Sequence, residues 1–394
     1  MTHCNSATGA CVGCLASSQC AADAPVCDAM TKMCRACTAD TECDSGVCDL
    51  AGGTCVTESS VVYASPSGTQ NNACTKLDAC ALGKAFMLVG ATKNIVKMAS
   101  GTYPTTIALT GSQPITVYGA GATMTSTLAI TGSATIKIRD LSFLGDGGLY
   151  CVPASVGAPM PTFDLDRVSF DTTGTTSSGP FAIQANPCTL DIKRSKFKIT
   201  GSGGEAIYAS GELANSNGAT ANRGTAVSVD RSWFEGGEPA ISLGNSSVLH
   251  MTNSLTFGST PMYAAIGSDP SGTGTIDFST LLDWSWYSGN GPVRFVVTNS
   301  IFYNPRILTT ANTFTGGAEF HYSLLFPQHT GPLGTNNMVG IDPMLADPAN
   351  QDFHLVTGSP AIDAGDPGAT APLDYEGTVR PQGARRDIGA FEYR

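Results

Sequence analysis

A three-residue pattern recurs along most of the chain and limits its fold more than any other feature. It consists of a middle residue with one apolar residue on each side. Successive copies start mostly 19 to 27 residues apart, with one gap of 37 residues that we interpret as an inserted loop at 211–224. Such alternation is typical of strands. A unit of this size cannot bury its apolar face alone, so the units are expected to stack as a parallel β-solenoid of about ten coils. The copies stand at 96–98, 115–117, 136–138, 163–165, 190–192, 227–229, 249–251, 276–278, 295–297 and 320–322.

The pattern often continues across a polar pair into a second apolar strand. The segments "IKIRDLSF" (136–143), "FDLDRVSF" (163–170) and "LDIKRSKF" (190–197) share this order of strand, sharp bend and strand. No helical periodicity accompanies it, which argues against helical repeat arrays. The period is also shorter than the ~40 to 50 residues of a β-propeller blade. The body of the chain, residues 58–335, is therefore predicted to be all-β.

The first 57 residues carry most of the cysteines. Their spacing repeats, because the steps from Cys14 to Cys34 nearly match those from Cys37 to Cys55. A zinc ribbon needs two suitably spaced C-x-x-C pairs, and a thioredoxin-like site needs a βαβ context, so disulfides are the favoured interpretation. Their connectivity stays open at this point, since eight cysteines allow 105 pairings. The module contains Cys4, Cys11, Cys14, Cys20, Cys27, Cys34, Cys37, Cys43, Cys48 and Cys55.

Four further cysteines lie in the body. We predict that Cys74 bonds Cys80 across a short loop and that Cys151 bonds Cys188 between neighbouring coils. A chain held together by disulfides is expected in an oxidising place, either secreted or at a cell surface. Because Cys4 and Cys11 match only the last step of the repeat, we expect more sequence upstream of Met1.

Charge and hydropathy exclude some partners. The net charge is −11 and no run of Lys or Arg occurs, which argues against nucleic acid as a partner. No apolar segment reaches the ~20 residues that a membrane span requires. The first residues also lack the charged and apolar regions of a signal peptide.

Three stretches resemble known families. Residues 61–330, with "VVYASPSGTQNNACTKLDAC" and "SGTYPTTIALTGSQPITVYGAG", resemble the right-handed parallel β-helix proteins of the pectate-lyase-like superfamily. The segment "GIDPMLADPANQDFHLVTGSPAIDAGDP" with "LDYEGTVRPQGARRDIGAFEY" resembles the closing segment, here 336–394, of choice-of-anchor Q type proteins. The module at 1–57 is similar to cysteine-rich repeats of exported bacterial proteins. The resemblance implies a fold shared by polysaccharide lyases, glycosidases, esterases, adhesins and phage tailspikes, and it does not settle the activity.

The middle residue of each pattern is expected to point outward, which aligns polar side chains along one face. Asp164 and Asp191 should lie about one strand spacing apart, roughly 5 Å, where two carboxylates share a proton or bind Ca²⁺. The alternative is a structural pair neutralised by neighbouring Arg and Lys. The predicted column is Lys97, Thr116, Lys137, Asp164, Asp191, Ser228, His250, Asp277, Val296 and His321.

The bends and one loop supply further candidate ligand-binding residues. Arg167, Arg194 and Arg231 follow the strands at equivalent positions and are suited to bind the carboxylates or sulfates of an acidic glycan, although ion pairing with Asp166 and Asp230 explains them equally well. Exposed indole rings suit stacking on sugars, and packing against the rod is the alternative. The aromatic candidates are Trp233, Trp284, Trp286 and Tyr287.

The closing segment is rich in aspartate, which we interpret chiefly as turn and cap residues over the last coil. Calcium at Asp347, Asn350 and Asp352 is the alternative for three of these positions, and no other cofactor is expected. No adjacent Asp-Asp pair and no Arg-x-Pro-x-x-Arg sequence, which serve catalysis in relatives of this fold, are found.

Three functions are compatible with this sequence. The preferred hypothesis is a secreted or cell-surface protein that recognises an extracellular glycan or another surface. A polysaccharide lyase or glycoside hydrolase acting on the lateral face is the second, and a structural surface spacer is the third.

Overall fold

A computed structural model describes the chain except for a set of short segments. The described residues are 3–4, 11–71, 73–173, 181–201, 204–211, 223–237, 240–258, 262–264, 272–282, 286–288, 294–303, 317–327 and 333–394. They form two compact units, Met1–Gly101 with Ile115–Ala120, and Thr102–Pro114 with Gly121–Arg394. No helix among them is long and apolar enough to cross a membrane.

The first unit contains the cysteine module and the first strands of the body, so the predicted boundary at residue 57 lies inside it. Antiparallel strand pairs are His3–Cys4 with Cys11–Val12, Val26–Cys27 with Cys34–Arg35, and Cys48–Asp49 with Thr54–Cys55. Parallel strands are Val61–Thr69, Ile95–Met98 and Ile115–Tyr118. The helices are the 3₁₀ turns Ser17–Gln19, Asp40–Glu42 and Glu58–Ser60 and the α-helix Leu82–Met87.

The cysteine repeat has one pairing rule. In each copy the first cysteine bonds the third and the second bonds the fourth, giving Cys14–Cys27 with Cys20–Cys34, and Cys37–Cys48 with Cys43–Cys55. The predicted bonds Cys74–Cys80 and Cys151–Cys188 are confirmed. The strands that carry Cys4 and Cys11 pair with these two residues in register, and their side chains lie outside the described part.

Tyr63 joins the cysteine module to the strands that follow it. Its hydroxyl donates to the carbonyl oxygen of Ser45 at 2.9 Å, and Val47, Val61 and Tyr118 pack in one buried cluster with it. Lys97 adds an ion pair with Asp40. The module is therefore stabilised by its disulfides and by a small core shared with the first strands of the body.

The second unit is a parallel β-solenoid built of three sheets, as the sequence predicts. The first sheet contains Thr135–Arg139, Thr162–Asp166, Thr189–Lys193, Ala226–Asp230, Val248–Thr252, Thr273–Asp277, Arg294–Thr298 and Gly317–His321. The second contains Ala122–Met124, Ser142–Leu144, Ser169–Thr173, Lys196–Thr200, Trp233–Gly236, Leu255–Phe257, Thr280–Leu282, Ile301–Tyr303, Leu324–Phe326 and Met338–Val339. The strand Gly101–Tyr103 also belongs to it, and the two units divide after Gly101. The third contains Ile107–Gly111, Thr127–Gly132, Gly148–Val152, Phe181–Ala185, Glu205–Ala209, Ile241–Leu243, Met262–Ala264 and Trp286–Ser288.

Every predicted pattern overlaps a strand, but the solenoid has about seven turns rather than ten. The patterns count strands of one sheet only, and a third-sheet strand is described for eight of the ten coils. The first two patterns belong to the first unit. The stretches 304–316 and 328–332, which follow the second-sheet strands of the last two patterns, lie outside the described residues.

Two ladders fill the interior directly after the bend. Phe143, Phe170, Phe197 and Phe234 stack with ring centroids 4.7 to 4.9 Å apart and nearly parallel planes. A buried serine ladder runs beside them: each hydroxyl donates to the carbonyl two residues earlier and accepts from the backbone N–H of the preceding coil. Its members are Ser195, Ser232, Ser254, Ser279, Ser300 and Ser323.

The predicted outward column is wrong at three positions. Asp277 and His321 lie two residues further along their strands, because the residues aligned with His250 are Thr275, Val296 and Glu319. The inward position at 274 is a glycine, and an added Cβ there would lie 2.7 Å from the Phe295 ring. Because the inward residue at 274 is small, the apolar pattern was assigned two residues too far along this strand.

The third wrong position is Thr116. It pairs with Ile95, and it is Tyr118 that lies opposite Lys97, with the ammonium 5.8 Å from the ring centroid.

The closing segment lies along the side of the second sheet rather than only over the last coil. Its strands Leu345–Asp347 and Asp352–Leu355 flank the 3₁₀ turn Pro348–Asn350. Phe353 and Phe391 pack on Leu255 and Leu282, whose side chains make this outer face apolar. The aspartates do form turns as predicted: Asp374 and Asp387 accept backbone N–H bonds.

A buried ion pair organises the interior of the closing segment. Arg380 Nη1 donates to Glu392 Oε2 at 2.9 Å, with both side chains fully buried, and its Nη2 donates to the carbonyl of Gly389. Burial is the main cause that raises the pKa of Glu392. Removal of either partner would leave a buried charge unpaired, so this ion pair is expected to stabilise the closing segment.

Candidate functional site

The predicted carboxylate pair is adjacent in the structure. Asp164 and Asp191 are register partners on the outer face of the first sheet, and both are half-buried. Lys193 Nζ donates to Asp191 Oδ2 at 2.6 Å, and this bond is the main cause that raises the pKa of Lys193. Lys137 is the register partner of Asp164 on its other side. The two carboxylates therefore lie among lysines, as the structural alternative expects.

The arginines at the bend surround one buried aspartate. Asp166, whose side chain is 3% exposed, accepts from Arg139 at 2.8 Å, Arg167 at 2.8 Å and Arg194 at 2.5 Å. Arg167 also binds Asp140 through two nitrogens, and these bonds are the main cause that raises its pKa. Several of the hydrogen-bond donors that would bind an acidic glycan are thus directed at aspartates of the same or a neighbouring coil.

Other residues at the bends also donate hydrogen bonds to aspartates. Arg231 Nε donates to Asp230 at 2.9 Å, and Asn299 donates to Asp277 at 2.8 Å. Burial raises the pKa of Asp277, and its two side-chain hydrogen bonds oppose that rise. His250 is exposed on the sheet face and shares a hydrogen bond with Thr275 at 2.9 Å.

The aromatic candidates separate into different surroundings. Trp233 packs against Phe257, Phe353 and Tyr375 under the closing segment, so it contributes to that interface. Trp284 lies outside the described residues. Trp286 and Tyr287 belong to a strand of the third sheet, and their side chains are likewise outside the described part.

The proposed calcium ligands bind each other or nearby groups. Asp347 caps the turn by accepting from the Asn350 backbone N–H at 3.3 Å, and it also accepts from the Asn350 side chain at 2.7 Å. Asp352 accepts from His354 Nδ1 at 2.6 Å. These His354 bonds lower the pKa of Asp352. Among the described His, Cys, Asp and Glu residues, the groups of three with converging ligand atoms are cysteines that form disulfides.

A different column stands out on the outer face of the third sheet. Leu149, Ile183 and Ile207 point inward in register, so the residues that follow them point outward. Those residues are Tyr150, Gln184 and Tyr208, which are half-buried, and Ser242, which is buried, on four successive strands. Tyr263 and the predicted candidate Tyr287 continue the same register.

Glu205 lies at the edge of this column. It is the register partner of Phe181, whose ring centroid is 5.0 Å from that of Tyr208. Ser242 donates a hydrogen bond to the carboxyl group, and Oε2 is buried without a hydrogen-bond partner. Burial raises the pKa of Glu205 to about 7, and the Ser242 bond opposes that rise. The group is therefore partly protonated near neutral pH.

An open cleft of about 230 Å³ lies next to Phe181, the register partner of Glu205. Tyr150, Phe181 and Gln184 line it together with the exposed carboxylate of Asp146. Aromatic faces, an amide and a carboxyl group thus converge on one accessible surface. Such a set can stack on apolar ring faces and exchange hydrogen bonds with hydroxyl groups.

The sequence patterns did not identify this face. The third strand of each coil is short and rich in Ala and Gly, as in "FAIQA" (181–185) and "EAIYA" (205–209), so it has a weak apolar signal. Alignment of the third strands would have placed Tyr150, Gln184 and Tyr208 in one column. The raised pKa of Glu205 depends on burial, which no local pattern reveals.

Comparisons with known proteins add little beyond the architecture. No protein-family model matches the sequence, and no curated protein matches it either. Among solved structures, the chain is similar to the crystal structure of pectate lyase Pel9A, with 16% sequence identity and a TM-score of 0.48 over 86% of this chain and 98% of that one. The likeness of residues 336–394 to choice-of-anchor Q type segments stays a prediction.

Proposed function

We propose that this protein binds an extracellular polysaccharide along the outer face of its third sheet. The observation that carries the proposal is the register of Tyr150, Gln184 and Tyr208 beside an open cleft. Successive strands are roughly 4.8 Å apart, so the two tyrosines present aromatic faces about 10 Å from each other. A polysaccharide, whose sugar units repeat along its length, fits a surface whose side chains repeat from strand to strand.

The other two faces are less suited to this role. From Trp233 onward the second sheet is covered by the closing segment. On the first sheet, the charged groups bind one another, and ion-pair networks of this kind are often structural. The alternative site for an acidic glycan is the first-sheet set Asp164, Asp191, Arg167, Arg194, Arg231 and His250. Calcium binding by Asp347, Asn350 and Asp352 is likewise an alternative proposal.

An oxidising location supports an extracellular ligand. Six disulfides are formed in the described part of the chain, and such bonds persist in secreted and surface proteins rather than in the cytosol. We therefore place the protein outside the cytoplasm, secreted or attached to a cell surface.

Binding to a panel of soluble neutral, acidic and basic glycans, measured by calorimetry, tests the proposal. At least one glycan should bind, and Tyr208→Ala should weaken that binding about tenfold, because an aromatic contact contributes about 1 kcal/mol beyond its buried area. Tyr208→Phe is the matched control, since it keeps the ring and should retain most of the affinity. Lack of binding to every glycan would contradict the proposal and favour a structural spacer.

An enzyme acting on the same glycan is the second candidate function. Glu205 supports it, because a carboxyl group with a pKa near 7 is suited to general acid catalysis. Incubation with polyuronides and neutral glycans would reveal turnover as unsaturated uronate absorbance or new reducing ends. Product above that of a boiled control would establish an enzyme, whereas binding without product would support recognition alone.

A further inference from the structure

The carboxyl group of Glu205 lacks a cationic partner within the described part of the chain. No described Lys, Arg or His lies within ion-pair distance of it. Its polar neighbour is the uncharged hydroxyl of Ser242, and one carboxyl oxygen is buried with no hydrogen bond. This contrasts with Asp166, which three arginines surround. Ionisation of Glu205 would therefore be favoured by a positive charge supplied from outside.

The surroundings of Glu205 suit such a charge. The rings of Phe181 and Tyr208 pack together beside it, and aromatic faces attract cations through their quadrupoles. Asp146 and Tyr150 line the adjoining cleft, which has no basic residue among its described lining residues. The net charge of the chain, −11, adds a long-range attraction for cations and a repulsion for anions.

We propose that the third-sheet face selects a cationic glycan, a polymer of amino sugars whose amines are not acylated. An ammonium group of the ligand binds the Glu205 carboxylate against the rings of Phe181 and Tyr208, while Asp146 favours a second ammonium along the cleft. Gln184 and Tyr150 contact the hydroxyl groups and ring faces. This inference rests on the proposed function, because it names the ligand class of the same face.

Binding would be coupled to loss of a proton. Below the pKa of Glu205 the free protein holds the carboxyl proton, and pairing with an ammonium group favours the carboxylate, so the proton passes to the buffer. Calorimetry in two buffers of different ionisation enthalpy measures that release directly. A neutral sugar would leave the protonation of Glu205 nearly unchanged.

The test uses three series of oligosaccharides that share one backbone. Oligomers of β-1,4-linked glucosamine, N-acetylglucosamine and glucose differ only at the C2 substituent, and oligogalacturonate is the anionic comparison. At about pH 6, where amines are largely protonated, the glucosamine oligomer should bind the intact protein about tenfold or more tightly than the glucose oligomer. Release of a proton should accompany only the glucosamine oligomer.

Three variants test which residues cause the preference for the glucosamine oligomer. Glu205→Gln should remove most of the tenfold preference and all of the proton release, because the carboxylate that pairs with the ammonium group is lost. Asp146→Asn, at an exposed position, should reduce the preference by a smaller factor and serves as a second variant if Glu205→Gln does not fold. Tyr208→Ala should weaken all oligomers alike.

The outcomes separate the two proposals. Equal binding of the glucosamine and glucose oligomers, or tighter binding of oligogalacturonate, would overturn the cationic selectivity and leave the glycan-binding function intact. A preference that survives in Glu205→Gln and Asp146→Asn would overturn the assignment to these carboxyl groups. Failure of every oligomer to bind would overturn both the selectivity and the function.

Discussion

The bend after the first sheet and the outer face of the third sheet use polar residues in opposite ways. At the bend, the carboxylate of Asp166 is buried and bound by Arg139, Arg167 and Arg194. On the third sheet, Glu205 is half-buried, and within the described part of the chain its carboxyl group has a serine hydroxyl rather than a cation as its hydrogen-bond donor. A column of charges is conspicuous in the sequence, yet here it holds the coils together. The polar groups that remain available to a ligand lie on the third sheet, whose strands have a weak apolar pattern in the sequence.

The backbone of the bend supports this structural interpretation. Each residue that follows a first-sheet strand has a positive φ, between 45° and 57°, at Asp140, Arg167, Arg194, Arg231, Asn253, Phe278, Asn299 and Tyr322. This conformation is unfavourable for side chains other than Gly, by roughly 1 kcal/mol or more per residue. The ion pairs and the buried serine ladder next to the bend offset that cost.

The largest effect is expected for Asp166→Ala. Three guanidinium groups would lose their common partner, so the free energy of unfolding should fall by about 3 to 5 kcal/mol. Urea denaturation measures the loss, and Asp171→Ala, at an exposed aspartate of the second sheet, should change stability by less than about 0.5 kcal/mol. Similar values for the two variants would contradict a structural role for the bend.

Glu205→Gln should have the next largest effect, with a size that depends on pH. The pKa of Glu205 is about 7 in the folded protein, against an ordinary value of 4.5 for a solvated glutamate, so the folded state binds more protons between these values. Wild-type stability should therefore fall relative to the variant as pH rises through this window, by up to ~3 kcal/mol at about pH 8.

Parallel denaturation of the wild type and Glu205→Gln at about pH 4 and pH 8 tests that expectation. The difference between the two proteins should be small at the lower pH and favour the variant at the higher one. A difference that does not change with pH would show that Glu205 titrates normally.

The serine ladder should have an intermediate effect. Ser254→Ala removes the hydroxyl that accepts from the backbone N–H of Ser232 at 3.1 Å and donates to the carbonyl of Thr252 at 2.7 Å. A buried N–H without a partner costs about 1 to 3 kcal/mol. Thermal unfolding should show this loss, and Ser169→Ala, at a half-buried serine, is the control. Equal melting temperatures would indicate that the ladder is dispensable.

The smallest effect is expected for Lys193→Ala on the first sheet. The lysine and Asp191 are each more than a third exposed, and such pairs contribute about 1 kcal/mol or less. Stability should change little, and affinity for the glycan should be retained. A tenfold loss of glycan affinity would move the binding site to the first sheet.

The sequence predicted the architecture better than the site. The ten patterns located the first-sheet strands because large inward residues such as Phe163 and Leu190 repeat in register. The frame was wrong where Gly274 and Ala318 replace a large residue, since inward and outward positions then differ little in hydropathy. The pairing rule of the cysteine repeat, and the packing of Phe391 on the second sheet, required contacts between distant residues.

The site was harder to predict for a physical reason. Tyr287 was a candidate, and its register in the third sheet agrees with the column of Tyr150 and Tyr208. Glu205, in contrast, has an ordinary sequence context, and its character comes from burial beside Phe181. Periodicity identifies which residues face outward, whereas the removal of water from a carboxyl group depends on the whole neighbourhood.

The most direct test of the account compares one double variant on each face. Tyr150→Ala with Tyr208→Ala, and Asp164→Ala with Asp191→Ala, are made in the full chain, and calorimetry measures their affinity for the glycan that binds the wild type best. We predict that the tyrosine variant loses affinity about a hundredfold, from two contacts of about tenfold each, and that the aspartate variant binds like the wild type. Retained binding by the tyrosine variant, with loss in the aspartate variant, would contradict the assignment to the third sheet.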